Sequence, residues 1–230
     1  MNDFLQNSVY LGLVLTFATY GIGMTLKKRF KTALINPLLI SIVLSILFLI
    51  VFDIDYEIYY DGAKYISYLL TPATICLAIP LYEQFELLKQ NYAAIFAGIL
   101  SGILTSLCCI LGLSILFHFN HKEYVSLLPK SITTAIGMDV SAELDGYVSI
   151  TAAVIIITGI LGNVFAELLF KLFCIKEPIA KGVALGTSAH ALGTAKALEI
   201  GEIEGAMSSL SIVVSGIITV AGASIFAQFL

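Results

Sequence analysis

Five long apolar runs dominate this chain: Val9–Leu26, Ala33–Phe52, Tyr92–Phe117, Tyr147–Phe173 and Ala206–Leu230. Each approaches or exceeds the roughly 20 residues that a helix needs to cross a hydrocarbon core about 30 Å thick. Only 12% of the residues are charged, against roughly 25% in soluble domains. The alternating strands of about 10 residues that build a transmembrane barrel do not occur. The sequence therefore predicts an all-α polytopic membrane protein, with residues 1–230 forming one integral membrane domain.

Three other apolar stretches contain proline, glycine, hydroxyl or charged residues: Leu69–Tyr82, Leu127–Asp139 and Val183–Glu199. Non-helical backbone survives at membrane depth only where protein or a water-filled cavity covers it. Interrupted segments of this kind are also the best sequence indication of a solute site in a transporter. We therefore expect about five full transmembrane helices and two or three interrupted or re-entrant helical elements.

Proline and glycine mark the expected interruptions, because proline removes a backbone donor and clashes with the preceding turn. The residues predicted to break the helices are Pro72 and Pro80 in the first stretch, Pro129 and Gly137 in the second, and Gly186 and Gly193 in the third.

The first two interrupted stretches are possible copies of one repeat. Shifted by 57 positions, Pro72 falls on Pro129 and Gly102 on Gly159. A composition dominated by a few apolar residue types also produces such coincidences by chance. A genuine repeat and a chance match both stay open. If the interrupted elements are re-entrant, the copies are inverted, as in many transporters; if they cross the membrane fully, the copies are parallel.

The charged and thiol groups exclude several kinds of function. The one basic cluster, Lys27 to Lys31, follows the first run and is typical of a cytoplasmic anchor, so no nucleic-acid partner is expected. The N-terminus has no signal-peptide pattern, and we expect the first span to be retained. The four cysteines show no metal-ligand spacing, so neither a metal nor a cofactor is predicted. No nucleotide motif or nucleophile–base pairing appears, and we do not expect an enzyme.

Lys130 is the ionisable residue that most suggests a site. It follows Pro129 inside an apolar stretch, where a charge is expensive and by default marks a solute pathway. Alternatively, the helix ends near the surface and Lys130 extends to water. Hydroxyl groups near the breaks could complete an anion site; the candidates are Thr71, Thr74, Ser131, Thr133 and Thr134.

His190 is the second candidate, within the sequence GTSAHALGTA. On a helix it would share a face with Gly186, Gly193 and Thr194, and Ser188 lies two residues earlier. An imidazole in such a small-walled slot could take up a proton near neutral pH, which would couple proton and solute movement. The alternative is a hydrogen-bonded structural histidine. We include Ser188, His190 and Thr194 among the predicted solute-binding residues.

Three motifs carry a family resemblance: LTPATICLAIPLYEQ, LLPKSITTAIGMDVS and ALGTSAHALGTAKALEIGEIEGAMSSL. They resemble the signature blocks of the LrgB/CidB family of bacterial membrane proteins, in the same order over nearly the whole chain. This chain departs from the family pattern at three positions: it has Ala135 where proline is usual, Gly137 where alanine is usual, and Lys196 where arginine is usual.

The resemblance implies two functions. Family members are described as antiholin-like or holin-like modulators of murein hydrolase export and autolysis. The family also includes the C-terminal half of the plastidial glycolate/glycerate translocator and members implicated in pyruvate movement. We favour a carrier for small carboxylates that works by alternating access, because unsatisfied polar groups in interrupted helices cost several kcal/mol. The alternative is an antiholin-like regulator of autolysis.

The same resemblance implies the setting in which the protein works. We expect a multi-pass protein of the bacterial cytoplasmic membrane, surrounded by membrane lipid and forming a homo-oligomer such as a dimer. Its expected partners are a small carboxylate solute and a small companion protein of the LrgA/CidA type.

Overall fold

The computed structural model describes residues 10–30, 36–76 and 78–230, apart from the side chains of Leu70 and Thr74. Val9, Lys31 and Ala33, which belong to the predicted first run, basic cluster and second run, lie outside this part of the chain. The described chain is helical and divides into two compact units, Met1–Cys76 and Leu77–Leu230.

Within its described residues, the first unit contains α1 (Leu11–Phe30), α2 (Pro37–Val51), α3 (Tyr56–Ser67) and α4 (Leu70–Cys76). Helix α2 starts where the Asn36 side chain accepts hydrogen bonds from the amides of Leu38 and Leu39. Its 15 residues span only about 22 Å. The second predicted run is therefore shorter as a helix than a full hydrocarbon core.

The second unit contains α5 (Ala78–Glu83), α6 (Phe85–Leu116), α7 (His121–Leu127), α8 (Thr134–Glu143), α9 (Val148–Leu172), α10 (Pro178–Ile200) and α11 (Glu202–Phe226). Among the described residues, four stretches are long and apolar enough to cross a membrane: Tyr56–Glu83, Phe85–Leu116, Val148–Leu172 and Glu202–Phe229. The prediction of an all-α polytopic membrane protein is confirmed.

Helices α7 and α8 form a helical hairpin, here called the first hairpin, whose turn is residues 128–133. Thr151 of α9 donates to the Ser126 carbonyl on one arm and to Ser141 Oγ on the other, at 2.8 and 2.7 Å. Pro129 lies in the turn, and Thr133 has the extended backbone of an N-cap residue. The chain has thus already entered α8 before Gly137, so the predicted break at Gly137 is wrong.

Gly137 has a packing role instead. A Cβ atom there would collide with the Ile155 side chain and would lie 3.3 Å from the Pro129 carbonyl oxygen. The missing side chain therefore lets α8 lie close to α9 and to the hairpin turn.

Helix α10 is a second hairpin, because His190 interrupts it with φ 41° and ψ −133°. Both arms, residues 178–189 and 191–200, pack along the same part of α11. On the first arm, a Cβ atom at Gly182 would lie 2.5 Å from the Glu204 carbonyl oxygen. On the second arm, Thr194 Oγ1 is 2.7 Å from Ser208 Oγ. The arms therefore lie side by side, with His190 at the turn.

The predicted breaks at Gly186 and Gly193 are wrong, because both residues lie inside the arms. A Cβ atom at Gly186 would collide with the Ser208 carbonyl oxygen, and one at Gly193 with the Leu185 carbonyl oxygen. These glycines allow close packing against α11 and between the two arms.

Pro72 and Pro80 do not interrupt the short helices that contain them. Each is the third residue of its helix, α4 or α5, where a missing amide N–H removes no intrahelical hydrogen bond. Residue 77, which joins α4 to α5, lies outside the described residues, so an interruption there stays a prediction.

The two hairpins open at opposite ends of the second unit. At the C-terminal end of α11, the Phe226 carbonyl accepts from the hydroxyl of Tyr124 in the first hairpin, at 2.9 Å. At its N-terminal end, Glu204 lies 3.9 Å from Lys181, beside the opening of the second hairpin. Along α11, Glu204 and Phe226 are about 33 Å apart. Residues 85–143 and 148–200 thus each form a long helix followed by a hairpin, in opposite orientations.

Candidate functional site

A cavity of about 800 Å³, here called the central cavity, lies between α6, the turn of the first hairpin and the first arm of the second hairpin. Its wall on α6 runs from Asn91 to Cys109, about 27 Å along the helix. Lys130 and Ser131 come from the first hairpin, and Thr187 and Ser188 come from the second. The turn of the first hairpin and the first arm of the second therefore both deliver polar groups to one space.

Glycine spacing sets the approach of α6 to the second hairpin. A Cβ atom at Gly98 would lie 3.2 Å from Val183 Cγ1, and one at Gly102 would lie 3.0 Å from Thr187 Cγ2. A methyl group at either position would require the Val183 or Thr187 side chain to shift by a few tenths of an ångström. On the neighbouring face of α6, Ile95, Ile99 and other apolar residues at helical spacing are fully buried in the core.

Lys130 supplies the positive charge of the cavity. Its Nζ donates to Ser131 Oγ at 2.9 Å, and Ser131 is only 8% exposed. Among the described residues, Lys130 forms no ion pair within 4 Å. The carboxylate that lines the cavity, Glu177, belongs to the outer end of the second hairpin. An incoming anion would thus meet an ammonium group whose charge is not already balanced by an adjacent carboxylate.

Two cavity-lining hydroxyl groups have no hydrogen-bond partner within the described structure: Thr187 Oγ1 and Ser106 Oγ. Thr187 is 7% exposed. A buried polar group left unpaired costs about 1–3 kcal/mol, and a polar ligand in the cavity would remove this cost. This cost and the uncompensated lysine both favour binding of a small anion.

The structure brings three of the predicted site residues to the central cavity: Lys130, Ser131 and Ser188. Thr133 and Thr134 begin α8, and neither is among the described residues that line the cavity. Thr71 is exposed on α4 in the first unit. The side chain of Thr74 lies outside the described residues.

His190 and Thr194 face other helices, and neither is among the described residues that line the cavity. His190 Nε2–H donates to the Ile155 carbonyl at 3.0 Å, and the imidazole lies against Gly159, where a Cβ atom would come within 2.8 Å of the ring. Thr194 bonds Ser208, as described above. The structure thus does not bring these two side chains to the central cavity. Their contact with solute and proton coupling through His190 stay predictions.

Sequence reasoning missed the polar residues of α6 and one threonine of the second hairpin. Asn91, Thr105, Ser106 and Thr187 all line the central cavity. The signal that could have revealed this wall is that small and polar residues of α6 recur at spacings of three or four: Asn91, Ala94, Gly98, Gly102 and Thr105. Within the described residues, no group of histidine, cysteine or carboxylate side chains could hold a metal ion.

Comparisons with known proteins agree with the motifs. A family model described as the LrgB-like family matches residues 16–229. A protein named antiholin-like protein LrgB from Bacillus subtilis (strain 168) is 39% identical over 224 residues, which is 97% of each chain. Proteins of the same name from Bacillus cereus (strain B4264) and Bacillus anthracis (strain CDC 684 / NRRL 3495) are 38% identical over 222 residues, which is 96% of each chain. No solved structure matches this chain.

Proposed function

This chain belongs to the LrgB-like family, and from that premise and the central cavity we propose that it is a membrane carrier for small organic anions. The observation that carries the proposal is the meeting of two oppositely oriented helical hairpins at one cavity that contains Lys130 and the unpaired hydroxyl of Thr187. Discontinuous helices of inverted orientation are how many secondary transporters build a solute site at the bilayer midplane.

The cavity favours a small carboxylate as the solute. Lys130 offers one charge, and the hydroxyls of Ser131 and Thr187 offer neutral donors around it. Ser188, whose hydroxyl donates to the Ala184 carbonyl, offers its oxygen as an acceptor. A carboxylate that also carries a hydroxyl or keto group, such as glycolate, glycerate or pyruvate, would use both kinds of partner. Alternating access would then follow from movement of the second hairpin against α6. At that contact Gly98 and Gly102 have no side chains that would interlock with the hairpin.

Uptake of labelled glycolate or pyruvate into proteoliposomes that hold only the purified protein tests this function. Lys130→Met should abolish uptake while the protein still inserts and folds. Ser131→Ala should weaken apparent affinity about 2- to 12-fold, because a neutral hydrogen bond is worth roughly 0.5–1.5 kcal/mol. Lys122→Met is the matched control, since Lys122 is exposed on α7 and should leave uptake unchanged. Wild-type uptake by Lys130→Met would contradict the proposal.

A second candidate function is antiholin-like regulation, which the names of the relatives favour. Such a protein could act through its packing surfaces, alone as a homo-oligomer or with a small companion membrane protein. We place either activity in the bacterial cytoplasmic membrane, because the relatives are bacterial and the spans are helical.

Lys130→Met also separates the two functions in cells. If the protein acts as a carrier, Lys130→Met should lose both uptake and any effect of the wild-type protein on lysis. If it acts as a regulator, purified wild-type protein should transport none of these carboxylates. Lys130→Met should then keep the wild-type effect on lysis.

A further inference from the structure

A second cavity, of about 570 Å³, lies between the end of α9 and the opening of the second hairpin. We propose that it binds an anionic phospholipid, with the phosphate on its lysines and an acyl chain against its apolar wall. This site is separate from the central cavity and does not depend on the proposed transport function.

The charges around the second cavity favour a phosphate group. Lys171, Lys176 and Lys181 all line it. Lys181 reaches Glu204 only at 3.9 Å, and within the described structure Lys171 and Lys176 form no ion pair. Two of these three ammonium groups are thus available to an anionic headgroup.

The acidic residues of the same wall are held by another lysine. Glu167 and Glu199 line the cavity, and Lys196 Nζ lies 2.6 Å from the first and 3.5 Å from the second. This bridge draws the carboxylates toward Lys196 and offsets their charge. With the bridging Lys196 and with Glu204 counted, four ammonium groups stand against three carboxylates around the cavity.

The position of the cavity favours a lipid over a soluble anion. Helix α9, an apolar membrane span, ends at Leu172. The amide N–H of Ile175 donates to the Phe170 carbonyl oxygen at 2.8 Å and closes this end of the helix. Phe170, Ile175 and Ile200 form the apolar part of the lining. A basic rim above an apolar wall at the end of a span matches the two chemistries of an anionic lipid.

Native mass spectrometry of the detergent-solubilised protein tests this site. The probes are phosphatidylglycerol and phosphatidylcholine with the same acyl chains. Wild-type protein should retain phosphatidylglycerol at least fivefold more than phosphatidylcholine. The double variant Lys171→Gln/Lys176→Gln should lose this preference, whereas Lys171→Arg/Lys176→Arg should keep it. The control Lys122→Gln, which removes an exposed lysine at the opening of the first hairpin, should behave as wild type.

Three results would overturn the proposal. The first is equal retention of both lipids by wild-type protein, and the second is an unchanged preference in Lys171→Gln/Lys176→Gln. The third comes from thermal melting of the wild-type protein with either ligand at the same concentration. If inorganic phosphate raises the melting temperature as much as phosphatidylglycerol does, the site binds soluble phosphate. Thermal melting without lipid checks that the glutamine variant is folded. If the glutamine variant is unfolded, the arginine variant carries the test, and loss of its preference for phosphatidylglycerol would contradict the proposal.

Discussion

Among single residues, Thr187 carries the most information about the central cavity, because its hydroxyl is buried and has no partner in the described structure. Serine and threonine in a helix usually bond the carbonyl four residues earlier. Ser188 does so, donating to the Ala184 carbonyl at 2.6 Å. A hydroxyl that neither bonds its own helix nor meets a neighbour is costly to the empty protein. This cost predicts opposite effects of one substitution on stability and on binding.

Thr187→Val keeps the side-chain shape and removes the unpaired hydroxyl. The melting temperature without solute should stay equal to that of wild type or rise, whereas the apparent affinity for the transported carboxylate should fall about 2- to 12-fold. Thr151→Val is the matched control, because Thr151 donates to Ser126 and Ser141 and is not among the described residues that line the cavity. It should lower the melting temperature and leave affinity unchanged. If Thr187→Val destabilises the protein as much as Thr151→Val does, Thr187 is structural.

The residues of the cavity were only partly predictable from the sequence. Lys130 and Ser131 follow a proline in an apolar stretch, and a charge there is unusual enough to indicate a site. Thr187 and Ser106 carry no such signal, because a hydroxyl in an apolar helix ordinarily bonds its own backbone. Their importance depends on a missing contact, which only the packing of α6 against the second hairpin reveals.

At the level of helices, the two hairpin turns differ in how well the sequence indicates them. Pro129 restricts the backbone, and it lies in the first turn. In the second hairpin the turn is at His190, a residue type without a strong preference for positive φ, while the nearby glycines drew the prediction to Gly186 and Gly193. Those glycines are required by packing and not by backbone conformation. Glycine therefore marked the correct element but the wrong residue.

The positive φ of His190 predicts an unusual order of stability. A non-glycine residue in such a region stores about 1–3 kcal/mol of strain, and glycine relieves it at an entropic cost of about 0.5–1 kcal/mol. Both His190→Gly and His190→Ala lose the bond to the Ile155 carbonyl. His190→Gly should therefore be the more stable variant by about 1 kcal/mol in thermal or denaturant unfolding. Ala195 is an exposed position inside a helix, where glycine is normally less stable than alanine. Ala195→Gly should therefore lower the stability. Equal stability of the two His190 variants would contradict the observed turn.

For the whole molecule, the sequence left the orientation of the interrupted elements undecided, because its lysines fall on both possible sides. In the structure, residues 85–143 and 148–200 each form a long helix followed by a hairpin. The 57-residue repeat that would pair residues 69–82 with residues 127–139 stays a prediction. Helix α9 separates the two hairpins, so they enter from opposite faces. The lysines can then be assigned. Lys89, Lys171, Lys176 and Lys181 lie at the opening of the second hairpin, and Lys122 lies at the opening of the first. The excess of lysine at the second opening predicts that this face is cytoplasmic.

Labelling from the two sides of the membrane checks this topology. In a variant lacking the four native cysteines, a membrane-impermeant maleimide should label Lys122→Cys in intact cells from which any outer barrier has been removed. It should label Lys176→Cys and Lys89→Cys only after the membrane is opened. Helix α6 separates Lys89 from Lys122, and α9 lies between Lys122 and Lys176. Both helices are long enough to cross the bilayer, at about 48 and 37 Å. The two positions expected to label together, Lys176 and Lys89, serve as internal controls for each other. Labelling of Lys122→Cys and Lys176→Cys from the same side would mean that the hairpins share one face, and the inverted arrangement that supports a carrier would be lost.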